Sequence, residues 1–260
     1  MPALTLYLQG ILIIWVATSL MWLLSVRLRN ASIVDIFWGF GFVLINAWWF
    51  WAGTGNPTRK LLLLGLVTFW GLRLSIYIGA RNWGKPEDFR YQQFRKDYGA
   101  ERYWWFSYFQ VFLLQGGLLC LIAMPLFVVQ TSATTLDLYW MDALAGAVSL
   151  IGIFFESVGD YQMSRFKANP ANKGKVMDRG LWRYTRHPNY FGDAATWWGF
   201  GLFAIAVGNY WAPIGSIVMT GLLLKVSGVS LLERTLKETK PKYGEYIRKT
   251  SSFLPWFPKK

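Results

Sequence analysis

Apolar residues fall in long blocks along this chain, and polar residues gather between the blocks. Seven blocks are candidate spans: 4–26, 33–53, 61–80, 108–130, 139–161, 191–208 and 210–230. About 20 apolar residues in a helix cover the hydrocarbon thickness of a bilayer. The last two blocks are short and separated only by Gly208-Asn209-Tyr210, which predicts a tight hairpin. The pattern predicts an all-α fold, a seven-helix membrane bundle. Residues 1–260 form one domain: 1–107 supply the N-terminal spans and first cytosolic loop, and 108–260 supply the C-terminal part. No internal repeat or low-complexity linker interrupts it.

The polar segments set the orientation. Arg27 and Arg29 follow the first block, and Arg81, Lys85, Arg90, Arg95, Lys96 and Arg102 follow the third. Arg165, Lys167, Lys173, Lys175, Arg179, Arg183 and Arg186 follow the fifth, and eight more basic residues lie beyond 230. Segments 131–138 and 208–210 have none, and 54–60 has only Arg59 and Lys60. Cytosolic loops carry the excess of Lys and Arg, so the N-terminus is expected outside and the C-terminus in the cytosol. The net charge of +13 then reflects topology, and nucleic acid is not expected as a partner. Cys120 is the one cysteine, which excludes a disulfide framework. The N-terminus lacks the basic start and small-residue cleavage site of a signal peptide, so the first block is expected to be retained. Trp104, Trp105, Tyr108, Tyr139 and Trp140 stand where interfacial aromatics anchor a span.

Candidate chemistry concentrates in RGLWRYTRHPNYFGD, residues 179–193. Pro188 disfavours helix at His187, which predicts a bent approach to the next helix. Arg179, Arg183 and Arg186, the chain's single histidine His187, Asn189, Tyr190 and Asp193 lie along it. Guanidinium groups and free backbone donors at a helix start suit a ligand rich in phosphate. Glu156 and Asp160 lie one turn apart at the cytosolic end of the fifth span, where Asp160 could accept from a ribose or an amide. Arg73 sits inside the third span, where an arginine faces a bundle interior, a partner acid or a polar ligand. Asp35 opens the second span, either answering the helix dipole or pairing with Arg73 or Arg81. RNWGKPEDFRY, residues 81–91, looks like a second wall of a cytosolic pocket. In the tail, Glu233 is followed by Tyr243 and Tyr246 on a basic amphipathic stretch expected on the membrane surface, its aromatics closing the pocket.

Other chemistries lack their residues. There is no glycine-rich dinucleotide fingerprint and no P-loop. One histidine and one cysteine far apart argue against the common zinc arrangements, so no metal is expected. No serine nucleophile elbow occurs.

LWRYTRHPNYFGD resembles the C-terminal signature of the steroid 5-alpha-reductase family of membrane enzymes. SIVDIFWG, WGLRL and RNWGKPEDFRY resemble the N-terminal half of its bacterial branch, and the likeness covers about 25–256. The resemblance implies a seven-helix bundle that binds NADPH from the cytosol and reduces an activated carbon–carbon double bond in a lipid. It implies Asp160, Lys167, Lys175, Asn189, Asp193 and Trp197 as cofactor-binding residues. Eukaryotic members hold a 3-ketone with a Gln-Glu pair on the second span and a tyrosine on a later one. Here Asp35 and Trp38 occupy that second span, with Arg73 and Tyr77 on the third.

The expectation is a monomeric, multi-pass enzyme of a bacterial inner membrane, taking a lipid substrate from the bilayer. Arg73 or Tyr77 would act near the substrate carbonyl, oriented by Asp35. Arg81, Asp160, Lys167, Lys175, Arg179, Arg183, Arg186, His187, Asn189, Tyr190, Asp193, Trp197, Glu233 and Tyr246 would hold NADPH. The Arg-His-Pro core also resembles isoprenylcysteine and phospholipid methyltransferases, which would use S-adenosylmethionine instead. A lipid-binding scaffold without catalysis is the third possibility.

Overall fold

The computed structural model describes residues 1–134, 137–226 and 229–259, and no strand occurs among them. Five helices are long and apolar enough to cross a bilayer. They are α1 (Ala3–Leu28), α2 (Ile33–Ala52), α3 (Pro57–Asn82), α5 (Ala100–Ile122) and α7 (Trp140–Ala168). They mark a multi-pass membrane protein. Helix α4 (Phe89–Tyr98) and helix α6 (Met124–Thr131) are shorter. The fourth span was expected at 108–130, but the helix begins at Ala100, and Pro125 stands at the first positions of a new helix. Proline has no N–H to continue the ladder, so the helix ends and restarts there.

The sixth and seventh expected spans are not among the five. Helix α8 (Pro188–Ala206) has 19 residues but opens with Pro-Asn-Tyr-Phe-Gly-Asp. Helix α9 (Ile214–Lys225) is apolar but short, about 18 Å at 1.5 Å per residue. The turn between them is closed by Gly208 at φ 80. The Asn209 side chain accepts from the backbone N–H groups of Trp211 and Ala212 at 3.2 and 2.8 Å. Helices α10 (Val229–Thr239) and α11 (Tyr243–Lys249) complete the order.

The chain divides into two compact units, 1–138 and 139–260. In the first, α2 and α3 cross so closely that a Cβ on Gly39 would lie 2.4 Å from the Gly71 carbonyl oxygen. Phe42 and Trp70, in ring contact across the two helices, are fully buried. Helix α3 starts cleanly: Asn56 accepts from the N–H groups of Thr58 and Arg59, and Pro57 follows it, the residue types that favour a helix start.

In the second unit, α7 and α8 pack backbone against backbone. A Cβ on Gly152 would lie 2.3 Å from the Thr196 nitrogen, and one on Gly192 would lie 2.3 Å from the Glu156 nitrogen. Small residues at such crossings let helices approach in an apolar setting. This contact fixes where the first turn of α8 meets the last turns of α7.

Candidate functional site

Pro188 opens α8, and His187 before it is extended at φ −141. The bend buries Thr185, Arg186 and His187. Arg186 Nε donates to Glu233 Oε1 at 2.8 Å, and its Nη1 donates to the carbonyls of Ile247 and Thr250 at 3.1 and 2.6 Å. The Arg186 backbone N–H donates to Ser251 O at 2.9 Å, and Thr185 Oγ1 donates to Phe253 O at 2.8 Å. Trp256 N–H donates to Tyr184 O at 2.9 Å, and the Tyr246 hydroxyl donates to Trp182 O. The tail is thereby strapped across the bend. Burial raises the Glu233 carboxyl, but the bonds from His187 and Arg186 outweigh it and bring it from 4.5 to about 2.

In the first turn of α8, Asn189 Nδ2 donates to Asp160 Oδ1 at 3.2 Å. Gly159 makes this possible, since a Cβ there would lie 3.2 Å from the Asn189 nitrogen. Trp182 Nε1 donates to the Gly159 carbonyl at 3.1 Å, which fixes the 3₁₀ turn Gly180–Arg183 against α7. His187 stacks on Tyr190 with ring centres 5.5 Å apart and planes at 11°. Its Nε2 is 3.1 Å from Glu233 Oε1. Two buried polar atoms here have no hydrogen-bond partner among the described residues: His187 Nδ1 and Asn189 Oδ1.

The remaining candidates of this unit divide by exposure. Asp160, Asp193 and Trp197 are buried, Tyr246 is buried under the tail, and Lys167, Lys175, Arg179 and Arg183 are exposed. The structure therefore gathers Asp160, His187, Asn189 and Tyr190 around the start of α8. Arg186 and Glu233 join them as the strap's ion pair, and the exposed cations stand outside that buried set. Sequence reasoning missed Thr185 and Trp182, whose partners lie 68 and 23 positions away. No local spacing signals either bond.

In the first unit, Asp35 lies in the first turn of α2. Its carboxylate accepts from Arg90 Nη2 at 2.8 Å and from the Tyr91 hydroxyl at 2.7 Å, so an ion pair is formed with a residue beyond the expected Arg73 and Arg81. Asp88 brings Arg90 there by capping α4, accepting from the Arg90 N–H at 3.0 Å and from its Nε at 2.9 Å. Burial opposes the Arg90 charge, but the bond to Asp88 and the charge on Asp35 raise its pKa above the ordinary value. Burial and the Asp35 charge raise Tyr91 well above its own. Glu87 holds Arg95 at 3.0 Å and the Ala31 N–H at 2.7 Å. Residues 87–95 are thus fastened to the start of α2. Arg73, Tyr77 and Arg81 fall four apart on α3, a single stripe, with the Arg81 guanidinium 5.8 Å from the Tyr77 ring centre.

A family model described as "Protein of unknown function (DUF1295)" matches residues 21–250. Among curated proteins, the "Uncharacterized protein C594.04c" of Schizosaccharomyces pombe is 25% identical over 276 residues, covering 96% of this chain and 79% of that protein. No solved structure matches.

Proposed function

The chain belongs to the DUF1295 family, and we propose that it is an NADPH-dependent reductase of an activated double bond in a hydrophobic lipid, similar to the steroid 5-alpha-reductases. In this reading it crosses a bacterial inner membrane seven times, N-terminus outside, with α8 and α9 as the last two spans.

The observation that carries the reading is the set of buried acceptors at the start of α8. Asp160 Oδ1 is met by Asn189 Nδ2, and Asn189 Oδ1 is buried with no hydrogen-bond partner among the described residues. His187 Nδ1, on the ring whose Nε2 meets Glu233, is likewise buried with no hydrogen-bond partner among the described residues. Buried acceptors need donors. The hydroxyls of a ribose and the amide of a nicotinamide are donors of that kind, so the residues fit this cofactor. Its phosphates need cations instead, and Lys167, Lys175, Arg179 and Arg183 are exposed on the segment before α8.

NADPH, when bound, supplies a hydride. Asp160 and Asn189 orient a ribose, His187 and Tyr190 offer a flat stacked face, and Trp197 with Asp193 lines the next turn of α8. Arg186 and Glu233 hold the tail that keeps water from the bend.

The test is thermal stability in detergent with NADPH, with S-adenosylmethionine, or with neither. Ligand at about 100 times its Kd adds roughly 2.7 kcal/mol to the folded state. NADPH should raise Tm for the natural chain and leave it unmoved for Asp160→Ala and Asn189→Ala, both folded without ligand. Stabilisation by S-adenosylmethionine alone would replace this reading with a methyltransferase, and stabilisation by neither would remove it.

A further inference from the structure

The last residues of the chain carry large apolar side chains that the fold leaves uncovered. Leu254, Trp256 and Phe257 are 65%, 72% and 76% exposed, whereas Tyr243 and Tyr246 on α11 are buried. The aromatics expected on the membrane surface thus pack inward, and those that follow them face out.

Their place is fixed against the bend before α8. The Trp256 N–H donates to Tyr184 O, and the Phe257 ring lies 6.2 Å from the Tyr184 ring. The Phe253 ring lies 6.1 Å from that of Phe191, which lies 5.0 Å from that of Phe155 on α7. Helix α7 has 29 residues, about 43 Å, whereas the hydrocarbon core is about 30 Å thick. Phe155 stands 13 residues before its Ala168 end, about 20 Å along the axis. Even with the whole excess projecting at that end, Phe155 lies about 7 Å inside the hydrocarbon. The row of rings from Phe155 through Phe191 to Phe253 therefore brings the tail to the level of the adjoining leaflet.

The backbone suits that level, because irregular chain tolerates an apolar medium only where few of its polar groups are free. Pro255 and Pro258 carry no N–H, and the Trp256 and Lys259 N–H groups are bound to Tyr184 O and Lys249 O at 2.9 and 2.8 Å. The second bond also sets Lys259 beside the end of α11, where Arg248 and Lys249 are exposed. Lys249 pairs with Glu245 at 2.8 Å, whereas Arg248 and Lys259 form no ion pair among the described residues.

We propose that Leu254, Trp256 and Phe257 enter the interface of the leaflet at the Ala168 end of α7, with Arg248 and Lys259 on anionic headgroups. The bilayer itself then holds the tail across the α8 bend. Tryptophan favours the headgroup level, and basic residues beside inserted aromatics bind an anionic surface.

The experiment uses the full chain in phosphatidylcholine nanodiscs, with or without phosphatidylglycerol, doped with a phospholipid bearing a diazirine near the glycerol end of its acyl chain. Light converts the diazirine to a carbene that inserts into whatever it touches, and mass spectrometry locates the adducts. Ile151 and Phe154, exposed on α7, are the internal reference for contact with lipid. Peptide 253–259 should be labelled, and about 2- to 5-fold more with phosphatidylglycerol present. The Arg248→Gln/Lys259→Gln chain should lose that increase and keep the α7 labelling. Hydrogen exchange at the Arg186 amide, bound to Ser251 O, should quicken several-fold in the Trp256→Ser/Phe257→Ser chain. Labelled α7 beside an unlabelled tail overturns the proposal, since the apolar residues then face water or another partner. Equal labelling with and without phosphatidylglycerol overturns the role of Arg248 and Lys259. Labelling of the natural chain needs no variant, so it decides the question even where a substitution prevents folding. No step uses NADPH, so the outcome stands apart from the reductase reading.

Discussion

Replacing Glu233 by glutamine should loosen the tail without disturbing the helices it crosses. Glu233 Oε1 receives Arg186 Nε at 2.8 Å and His187 Nε2 at 3.1 Å. Arg186 is only 7% exposed, so the substitution leaves a buried guanidinium without its counter-ion. Breaking a fully buried pair costs about 3–5 kcal/mol. The pKa gives an independent figure: displacement from 4.5 to about 2 corresponds to roughly 3 kcal/mol at 1.36 kcal/mol per pH unit. Solvent reaches part of the carboxylate, so screening reduces the expected loss to about 1–2 kcal/mol.

The sign of the pH dependence follows from the lowered carboxyl. A depressed acid stabilises the folded state above its unfolded pKa, and that contribution is lost as pH falls through the folded value. Tm of the natural chain should therefore drop between about pH 4.5 and pH 2, and the Glu233→Gln chain should start lower and lose less across the same window. Hydrogen exchange read by mass spectrometry should show faster exchange at Arg186 and Trp256, whose N–H groups bind Ser251 O and Tyr184 O. Equal Tm, equal pH slopes and unchanged protection at those two amides would refute the strap.

Two further substitutions test the frames of the separate units. Asp35→Asn removes the negative charge and one of the two oxygens that accept from Arg90 and Tyr91 and should cost about 1–3 kcal/mol, seen as faster tryptic cleavage after Arg90 and Arg95. An unchanged cleavage rate would show that Asp35 does not hold that segment. Gly152→Ala places a methyl group 2.3 Å from the Thr196 nitrogen, and overpacking of this kind costs about 1–3 kcal/mol. Tm in detergent should fall by several degrees, and an unchanged value would mean that the α7–α8 contact yields easily.

The helical class and the first five spans were legible because length and apolar character are local properties of the chain. Length also explains where the reading thinned. Helix α8 begins at Pro188, three residues before the expected start, because proline fixes the first turn more firmly than hydropathy does. Pro125 split the fourth expected span for the same reason. The residues around His187 were legible as a cluster, since they are adjacent in sequence. Their partners were not. Glu233 lies 47 positions from Arg186 and Arg90 lies 55 from Asp35. Charge alone offered several acids to each arginine, and only the folded chain selects among them.

That selection changes what the arginines can do. From composition, Arg179, Arg183 and Arg186 are equivalent candidates for an anion. In the structure Arg186 spends its Nε and Nη1 donors on Glu233 and on two tail carbonyls, so a phosphate would have to displace an ion pair that already holds the tail. Arg179 and Arg183 remain exposed, as do Lys167 and Lys175. The basic loop thus separates into a buried part that folds the tail and an exposed part that can meet an anion. Buried Asn189 Oδ1 asks for a donor, and the exposed cations of the loop ask for negative charge. A molecule with hydroxyls and an amide at one end and phosphate at the other satisfies both demands, whereas S-adenosylmethionine carries no phosphate. This difference in chemistry is the reason to set NADPH against S-adenosylmethionine in one assay.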